Sequence, residues 1–122
     1  MLVKKVGRQG LFIAKPRLYY GTHMLSKQDV IRGIGQKQSQ LKSLGVSKLG
    51  LFGSFCRNEQ TDKSDIDFFV SFTPGKKTFD NFMALSFLLE DMFHRRIELV
   101  TEKSLSPYLK PYILKELEYI EV

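Results

Sequence analysis

The alternation of apolar and polar residues along the chain predicts helices interleaved with short strands. Apolar residues at helical spacing predict helices, and short runs rich in Ile, Val, Leu and Phe predict strands. The predicted order is helix 26–44, strand 46–52, a short helical turn from Gly53, strand 66–72, helix 79–93, strand 96–100 and helix 105–120. This pattern predicts an α/β or α+β domain built around a single sheet.

The first predicted helix has a marked start and a marked stop. Ser26 and Asp29 form a capping-box pattern, and Gly45 is a natural terminator. Gly33 and Gly35 lie inside the helix and weaken it. In helix 79–93 an apolar stripe indicates the face that packs on the core, formed by Phe82, Leu85, Leu89 and Met92.

The composition is that of one globular domain. The 122 residues are 43% hydrophobic and 26% charged, which permits a core at this length and excludes a disordered chain. The single Cys cannot form a disulfide within the chain. No apolar run approaches the roughly 18 residues of a membrane span, so no membrane partner is predicted. We therefore expect a protein of the reducing cytoplasm.

The positive net charge is concentrated at the N-terminus. Of the net +6, residues 1–25 contribute five basic and no acidic residues, which leaves 14 basic and 13 acidic residues in 26–122. A nearly neutral domain lacks the basic stripe that nucleic acid requires, so direct binding of nucleic acid is not predicted. The string Gly21-Thr22-His23-Met24 is typical of a cloning junction or an overlong start. We therefore expect a leader at 1–23 and one domain at 24–122.

Two carboxylates are spaced for one face of a strand. Asp65 and Asp67 are separated by one residue, and side chains alternate between the faces of a strand, so both carboxylates are expected on the same face. Ile66 and Phe68 then point into the core. Paired carboxylates repel each other unless a cation lies between them, and Mg²⁺ prefers such oxygen ligands. The alternative is that both carboxylates simply face solvent.

Glu98 is a third acid in an apolar strand. If its strand neighbours the strand of Asp65 and Asp67, the three carboxylates can cluster, and such clusters are typical of two-metal phosphoryl-transfer sites. Gly53 and Ser54 follow strand 46–52, where a glycine lets the backbone approach a ligand and the next N–H groups and hydroxyl can bind phosphate. A plain turn is the alternative for this pair.

Together these segments resemble one family. Gly53-Ser54, ten residues and then Asp65-Ile66-Asp67 resemble the Gly-Ser-x10-Asp-x-Asp signature of the DNA polymerase β nucleotidyltransferase superfamily. The similarity extends over 26–122 and is to the minimal nucleotidyltransferase (MNT) antitoxins. It implies a polymerase β-like fold, in which helices flank a small mixed sheet, with ATP as substrate and two Mg²⁺ ions. Two departures are Glu98, where Asp is usual, and Asn58, where Gly is common.

The resemblance also implies the roles of the site residues. Asp65, Asp67 and Glu98 are then the catalytic metal ligands, with Glu98 as either a ligand or the general base. The nucleotide-binding residues are then Gly53, Ser54, Arg57 and Ser64. For Arg57, a local ion pair with Glu59 is the alternative to a phosphate contact.

Members of this family act as antitoxins beside a HEPN-domain toxin, and they transfer AMP to a toxin tyrosine. The resemblance implies the same function here, with any oligomer formed through the toxin complex. The alternatives are an antitoxin that only binds its partner and a nucleotidyltransferase for small molecules. Tyr108, Tyr112 and Tyr119 give the last helix aromatic area, for which a core role is expected before a docking role.

Overall fold

The structure of the protein is a computed structural model that describes residues 24–122. The predicted leader at 1–23 lies outside the described residues. The helices are α1 (Lys27–Gln36), α2 (Gln38–Ser43), α3 (Gly53–Arg57), α4 (Phe79–Phe93) and α5 (Lys110–Glu116). The strands are β1 (Val46–Phe52), β2 (Ile66–Phe72), β3 (Ile97–Val100) and β4 (Glu118–Ile120), and a short 3₁₀ turn spans Glu102–Ser104.

The four strands found within residues 24–122 form one mixed sheet in the order β3-β2-β1-β4. Strand β2 is antiparallel to β1 and parallel to β3, and β4 is antiparallel to β1. The core lies between this sheet and helices α1, α2 and α4, with fully buried side chains that include Ile34, Leu41, Leu51, Phe68 and Leu89. The prediction of a small mixed sheet flanked by helices is confirmed.

Helix α1 begins as its capping box predicts. The Ser26 backbone N–H donates to Asp29 Oδ2 (2.9 Å), and the Asp29 N–H donates to Ser26 Oγ (3.1 Å). The single helix predicted over 26–44 is nevertheless wrong, because Lys37 leaves helical geometry (φ −118°, ψ 20°). The chain resumes as α2, whose Leu41 is fully buried, so core packing decides the direction of this second segment.

The end of the chain differs most from the prediction. The helix predicted over 105–120 is wrong at both ends, because α5 covers only Lys110–Glu116 and the chain then forms strand β4. Pairing with β1 supplies hydrogen bonds at that edge of the sheet and buries Ile120, which is 7% exposed. A three-residue strand is too short to produce a recognisable alternation in the sequence.

The remaining strands and helix α4 have the predicted bounds to within one residue. Strands β1 and β2 and helix α4 begin and end where expected, and β3 starts one residue later than predicted. In α4, Leu85 and Leu89 of the predicted stripe are fully buried. Among residues 24–122, no helix combines the length and hydropathy that a membrane span requires.

Candidate active site

Two of the three predicted carboxylates come from adjacent strands. Asp67 is the second residue of β2 and pairs in register with Glu98 of the parallel strand β3, so the two side chains lie on the same face of the sheet. This is the strand adjacency that a carboxylate cluster requires. Asp65 immediately precedes β2 and so lies outside the strand in which the sequence placed it.

The face opposite to these carboxylates belongs to the core. Ile66 and Phe68 are fully buried, as predicted, whereas Asp67 is half-buried and Glu98 is exposed. Burial of the Asp67 carboxyl, together with the negative charges of Glu98 and Asp65, raises its pKa from the ordinary 3.8 to about 6. The cluster therefore carries excess negative charge, which favours binding of a cation.

Gly53 touches this cluster directly. It has a positive φ of 76°, and a Cβ built on it would overlap Asp67 Oδ2 and lie 2.9 Å from Asp67 Cγ. Phe52, the residue before it, pairs in register with Asp67 across β1 and β2. The sequence suggested that this glycine lets the backbone approach a ligand, and in the structure the group that approaches it is the Asp67 carboxylate.

The backbone N–H of Gly53 is hydrogen bonded to a residue that the sequence did not indicate. It donates to Glu116 Oε2 at 2.6 Å, and Glu116 is the last residue of α5. No motif marks Glu116, because its partner lies 63 residues away in the sequence. Ser54 is half-buried, and its hydroxyl makes no hydrogen bond within residues 24–122.

Arg57 ends helix α3 between two carboxylates. Its Nε donates to Glu59 (2.9 Å), which is the local ion pair that the sequence suggested. Its Nη1 donates to both oxygens of Glu116 (3.0 and 3.1 Å). Hydrogen bonds to Glu59 and Glu116 raise the pKa of the Arg57 guanidinium above its ordinary value. The next residue, Asn58, has left-handed backbone angles (φ 59°), which explains why a glycine is common there.

Ser64 and Arg95 organise the loop before Asp65. Ser64 Oγ accepts a hydrogen bond from the Thr61 N–H (2.8 Å), so the hydroxyl closes a turn of its own loop. Arg95 Nη1 donates to the carbonyls of Thr61 (3.3 Å) and Ser64 (3.2 Å), and the guanidinium lies 5.8 Å from the centre of the buried Phe55 ring. Apart from a charged residue after a helix, no feature of the sequence indicates this role of Arg95.

The donor set fits a hard divalent cation. Asp67 and Glu98 offer oxygen ligands on one face, and Mg²⁺ usually binds one or two protein carboxylates together with substrate phosphates. Within residues 24–122, no three His, Cys, Asp or Glu side chains lie close enough together to hold one ion by themselves. Asp67 and Glu98 can therefore offer carboxylate oxygens to a cation, and further ligands would have to come from outside this pair.

Comparisons with known proteins agree with this geometry. The model of the nucleotidyltransferase domain family matches residues 34–120. A Methanocaldococcus jannaschii protein, provisionally named a protein adenylyltransferase, is 40% identical over 72 residues, which are 59% of this chain and 76% of the relative.

Two solved structures share the fold. One, provisionally described as a minimal nucleotidyltransferase, superposes with a TM-score of 0.67 at 26% identity. The aligned region covers 80% of this chain and 97% of the other chain. A toxin–antitoxin structure with AMP-PNP superposes with a TM-score of 0.57 at 19% identity, and the aligned region covers 80% of this chain and 73% of the other chain. The chain thus belongs to the nucleotidyltransferase domain family, within its minimal nucleotidyltransferase branch, and is a nucleotidyltransferase.

Proposed function

We propose that the protein is a Mg²⁺-dependent protein adenylyltransferase that transfers AMP from ATP to a tyrosine of a HEPN-domain toxin. The observation that carries this proposal is the in-register pair Asp67 and Glu98 beside the Gly53-Ser54 turn. The name of the M. jannaschii relative and the AMP-PNP in the toxin–antitoxin structure support the donor and the acceptor class. ATP as the donor implies a cytoplasmic setting.

The chain would bind the nucleotide through Ser54 and Arg57. The Ser54 hydroxyl makes no hydrogen bond within residues 24–122 and the guanidinium of Arg57 is exposed, so both can contact the triphosphate. Asp65 and Asp67 would hold Mg²⁺, with Glu98 as a further ligand or as the general base, and the ion when bound neutralises phosphate charge and polarises the reacting phosphate. Ser64 remains a predicted nucleotide ligand, although its hydroxyl is engaged in the turn before Asp65.

The transfer step forms one bond to the α-phosphorus, breaks another and moves one proton. The tyrosine oxygen forms a bond to the α-phosphorus, the bond from that phosphorus to the bridging oxygen breaks, and pyrophosphate leaves. The phenol proton passes to a carboxylate of the cluster. Glu98 suits this role because it is exposed, so an incoming hydroxyl can reach it, whereas Asp67 is half-buried.

The acceptor would be carried by a partner protein that docks near α5. The expected core role for the aromatic residues of this segment is wrong, because Tyr108, Tyr112 and Tyr119 are 87%, 74% and 54% exposed, and Tyr119 lies in strand β4 instead of the helix. Leu109, between Tyr108 and Tyr112, is 56% exposed. Exposed apolar area of this kind is typical of docking surfaces.

The experiment combines the protein with the product of its neighbouring gene, ATP and Mg²⁺, and measures the intact mass of both. We expect one or more AMP additions on a tyrosine of the neighbour and none with the Asp65→Asn/Asp67→Asn double variant. An unmodified neighbour, with the label found on RNA or on a small molecule, would contradict the proposal.

An antitoxin that neutralises its partner by binding alone is the second candidate. The exposure of Tyr108 and Tyr112 fits this function as well as adenylyl transfer, because docking through these residues does not depend on the carboxylates. Calorimetry with ATP and Mg²⁺ distinguishes the two functions on the complex of both proteins. Adenylyl transfer requires nucleotide binding that the Asp67→Asn variant loses, whereas neutralisation by docking alone persists in that variant.

A further inference from the structure

One carboxylate joins the two ends of helix α3. Glu116 accepts a hydrogen bond from the N–H of Gly53, the first residue of the helix (2.6 Å). It also accepts from Nη1 of Arg57, the last residue of the helix (3.0 and 3.1 Å). Because Ser54 lies between these two contacts, Glu116 fixes the whole turn to the end of helix α5.

The contacts of Glu116 decide which donors are left for a phosphate. The Gly53 N–H is already bonded, so it is not available while this contact holds. In Arg57, Nε is bonded to Glu59 and Nη1 to Glu116, whereas Nη2 has no partner within residues 24–122. Since the guanidinium is a rigid plane, the two carboxylates fix the direction in which Nη2 points.

Gly53 is constrained from both sides. The Glu116 carboxylate binds its N–H, and the Asp67 carboxylate lies against its Cα, where a Cβ would overlap it. The position of Glu116 is itself fixed, because its carbonyl accepts from Cys56 Sγ (3.5 Å) and the next residue, Leu117, packs on Gly50. A displacement at Glu116 would therefore alter both the backbone of Gly53 and the guanidinium of Arg57.

We propose that Glu116 is a positioning residue for nucleotide binding, which holds the Gly53-Ser54 turn and Arg57 in the arrangement that receives the triphosphate. This inference rests on the proposed function. A carboxylate that competed with the phosphate for these donors would have the opposite effect on binding. The two effects have opposite signs, so a binding measurement separates them.

The first experiment measures the Kd of Mg²⁺-AMP-PNP by calorimetry on the full chain. Glu116→Ala removes every contact of the carboxylate, and we expect binding about tenfold weaker. Glu116→Gln keeps an oxygen for the Gly53 N–H but loses the charge, so a weakening of about threefold is expected. Tighter binding in either variant would overturn the proposal and identify Glu116 as a competitor of the phosphate.

Glu118→Gln is the matched control. It removes the same charge two residues away and breaks an ion pair with Lys27 (2.6 Å), and neither member of the pair is hydrogen bonded to Gly53 or Arg57. We expect its Kd to stay within about twofold of the wild-type value. An equal weakening in the Glu118 and Glu116 variants would overturn the proposal, because the effect would then come from general destabilisation of the chain end.

A double-variant cycle tests whether Glu116 acts through Arg57. In an Arg57→Ala background, Glu116→Ala should weaken binding much less than it does in the wild type. In the transfer assay, Glu116→Ala should raise KM for ATP with little change in kcat, because it removes binding common to the ground state and the transition state. Fully additive effects on Kd would overturn the proposal.

The Gly53 amide proton gives a readout without nucleotide. In the wild type this N–H donates to a carboxylate, so Glu116→Ala should shift its NMR resonance upfield and speed its exchange, and Glu118→Gln should do neither. An unchanged resonance would show that Glu116 does not bind the Gly53 N–H, which overturns the proposal. A wild-type chain that binds no nucleotide overturns the proposed function, and the nucleotide role of Glu116 with it. The Gly53 amide resonance distinguishes that failure from the absence of the hydrogen bond between Gly53 and Glu116.

Discussion

The backbone of Gly53 and the carboxylate of Asp67 are in direct contact, so the two halves of the sequence motif form one structural unit. Gly53 follows the last residue of β1, and Phe52 pairs in register with Asp67 near the start of β2. The intervening residues form helix α3 and a loop. The spacing of the motif therefore reflects a contact between two strand ends. A glycine is required at the first of them because the Asp67 carboxylate occupies the space of a Cβ, and not only because a ligand approaches.

Gly53→Ala is expected to destabilise the fold and to displace Asp67. Gly75→Ala is the matched control, because both glycines have positive φ (76° and 83°) but a Cβ on Gly75 meets nothing within 4 Å. The control should cost about 1 kcal/mol for the backbone conformation alone. Gly53→Ala should cost about 2–4 kcal/mol, because overlap with Asp67 is added. Urea unfolding measures both values, and equal costs would contradict the contact.

Asp67→Asn is expected to stabilise the fold while it abolishes adenylyl transfer. The carboxyl binds its proton more tightly in the folded state, with a pKa of about 6 against 3.8 for the ordinary group. As the pH rises from the lower to the higher value, the unfolded state ionises first and the wild type loses stability. At about pH 7.5 the variant, which lacks this charge, should be more stable by about 1–2 kcal/mol, allowing for half exposure.

The pH dependence provides the check on this prediction. Below about pH 3.5 the carboxyl is protonated in both states, so the advantage of Asp67→Asn should disappear. Asp62→Asn, at an exposed residue of the preceding loop, is the control and should change stability by less than about 0.5 kcal/mol at either pH. Urea unfolding of the three proteins at both pH values measures the difference. An advantage that is independent of pH would contradict ionisation of Asp67 as the cause.

Arg95→Met is expected to loosen the loop that carries Asp65. The variant keeps an apolar stem but loses the hydrogen bonds to the Thr61 and Ser64 carbonyls and the contact with the Phe55 ring. The cost should be about 1–3 kcal/mol, with reduced adenylyl transfer.

The neighbouring Arg96 offers a matched control for that variant. Its side chain is exposed and makes no hydrogen bond or ion pair within residues 24–122, so Arg96→Met should be nearly neutral. Thermal unfolding and the transfer assay measure both variants. Equal behaviour of the two would show that the loop before Asp65 does not depend on Arg95.

The parts of the fold that follow from local periodicity were predictable from the sequence. Strands β1 and β2 and helix α4 have long apolar patterns, and their predicted bounds are those of the structure. The placement of Asp67 beside Glu98 followed from period-2 alternation and a single assumption about strand order. The positive φ of Asn58 was not predicted, although the departure from glycine at that position was the available signal.

Long-range contacts account for what the sequence did not indicate. Strand β4 has only three residues, and its formation depends on the edge of β1 and on burial of Ile120. Glu116 ends a short helix and bonds to residues 59 and 63 positions earlier, so no local pattern identifies it. Such features arise from tertiary packing, which overrides local propensity.

Gly33 and Gly35 show how the same residue type acts differently in one helix. From the sequence, both are expected to weaken the helix equally. In the structure, a Cβ on Gly33 would lie 2.8 Å from Cε1 of the buried Phe93, whereas a Cβ on Gly35 would meet nothing within 4 Å. Gly35→Ala should therefore stabilise the protein by up to about 1 kcal/mol through helix propensity. Gly33→Ala should destabilise it by about 1–3 kcal/mol, because α1 must move away from α4. Urea unfolding of the two variants measures these effects, and a gain in stability from Gly33→Ala would show that the Phe93 ring can move aside without cost.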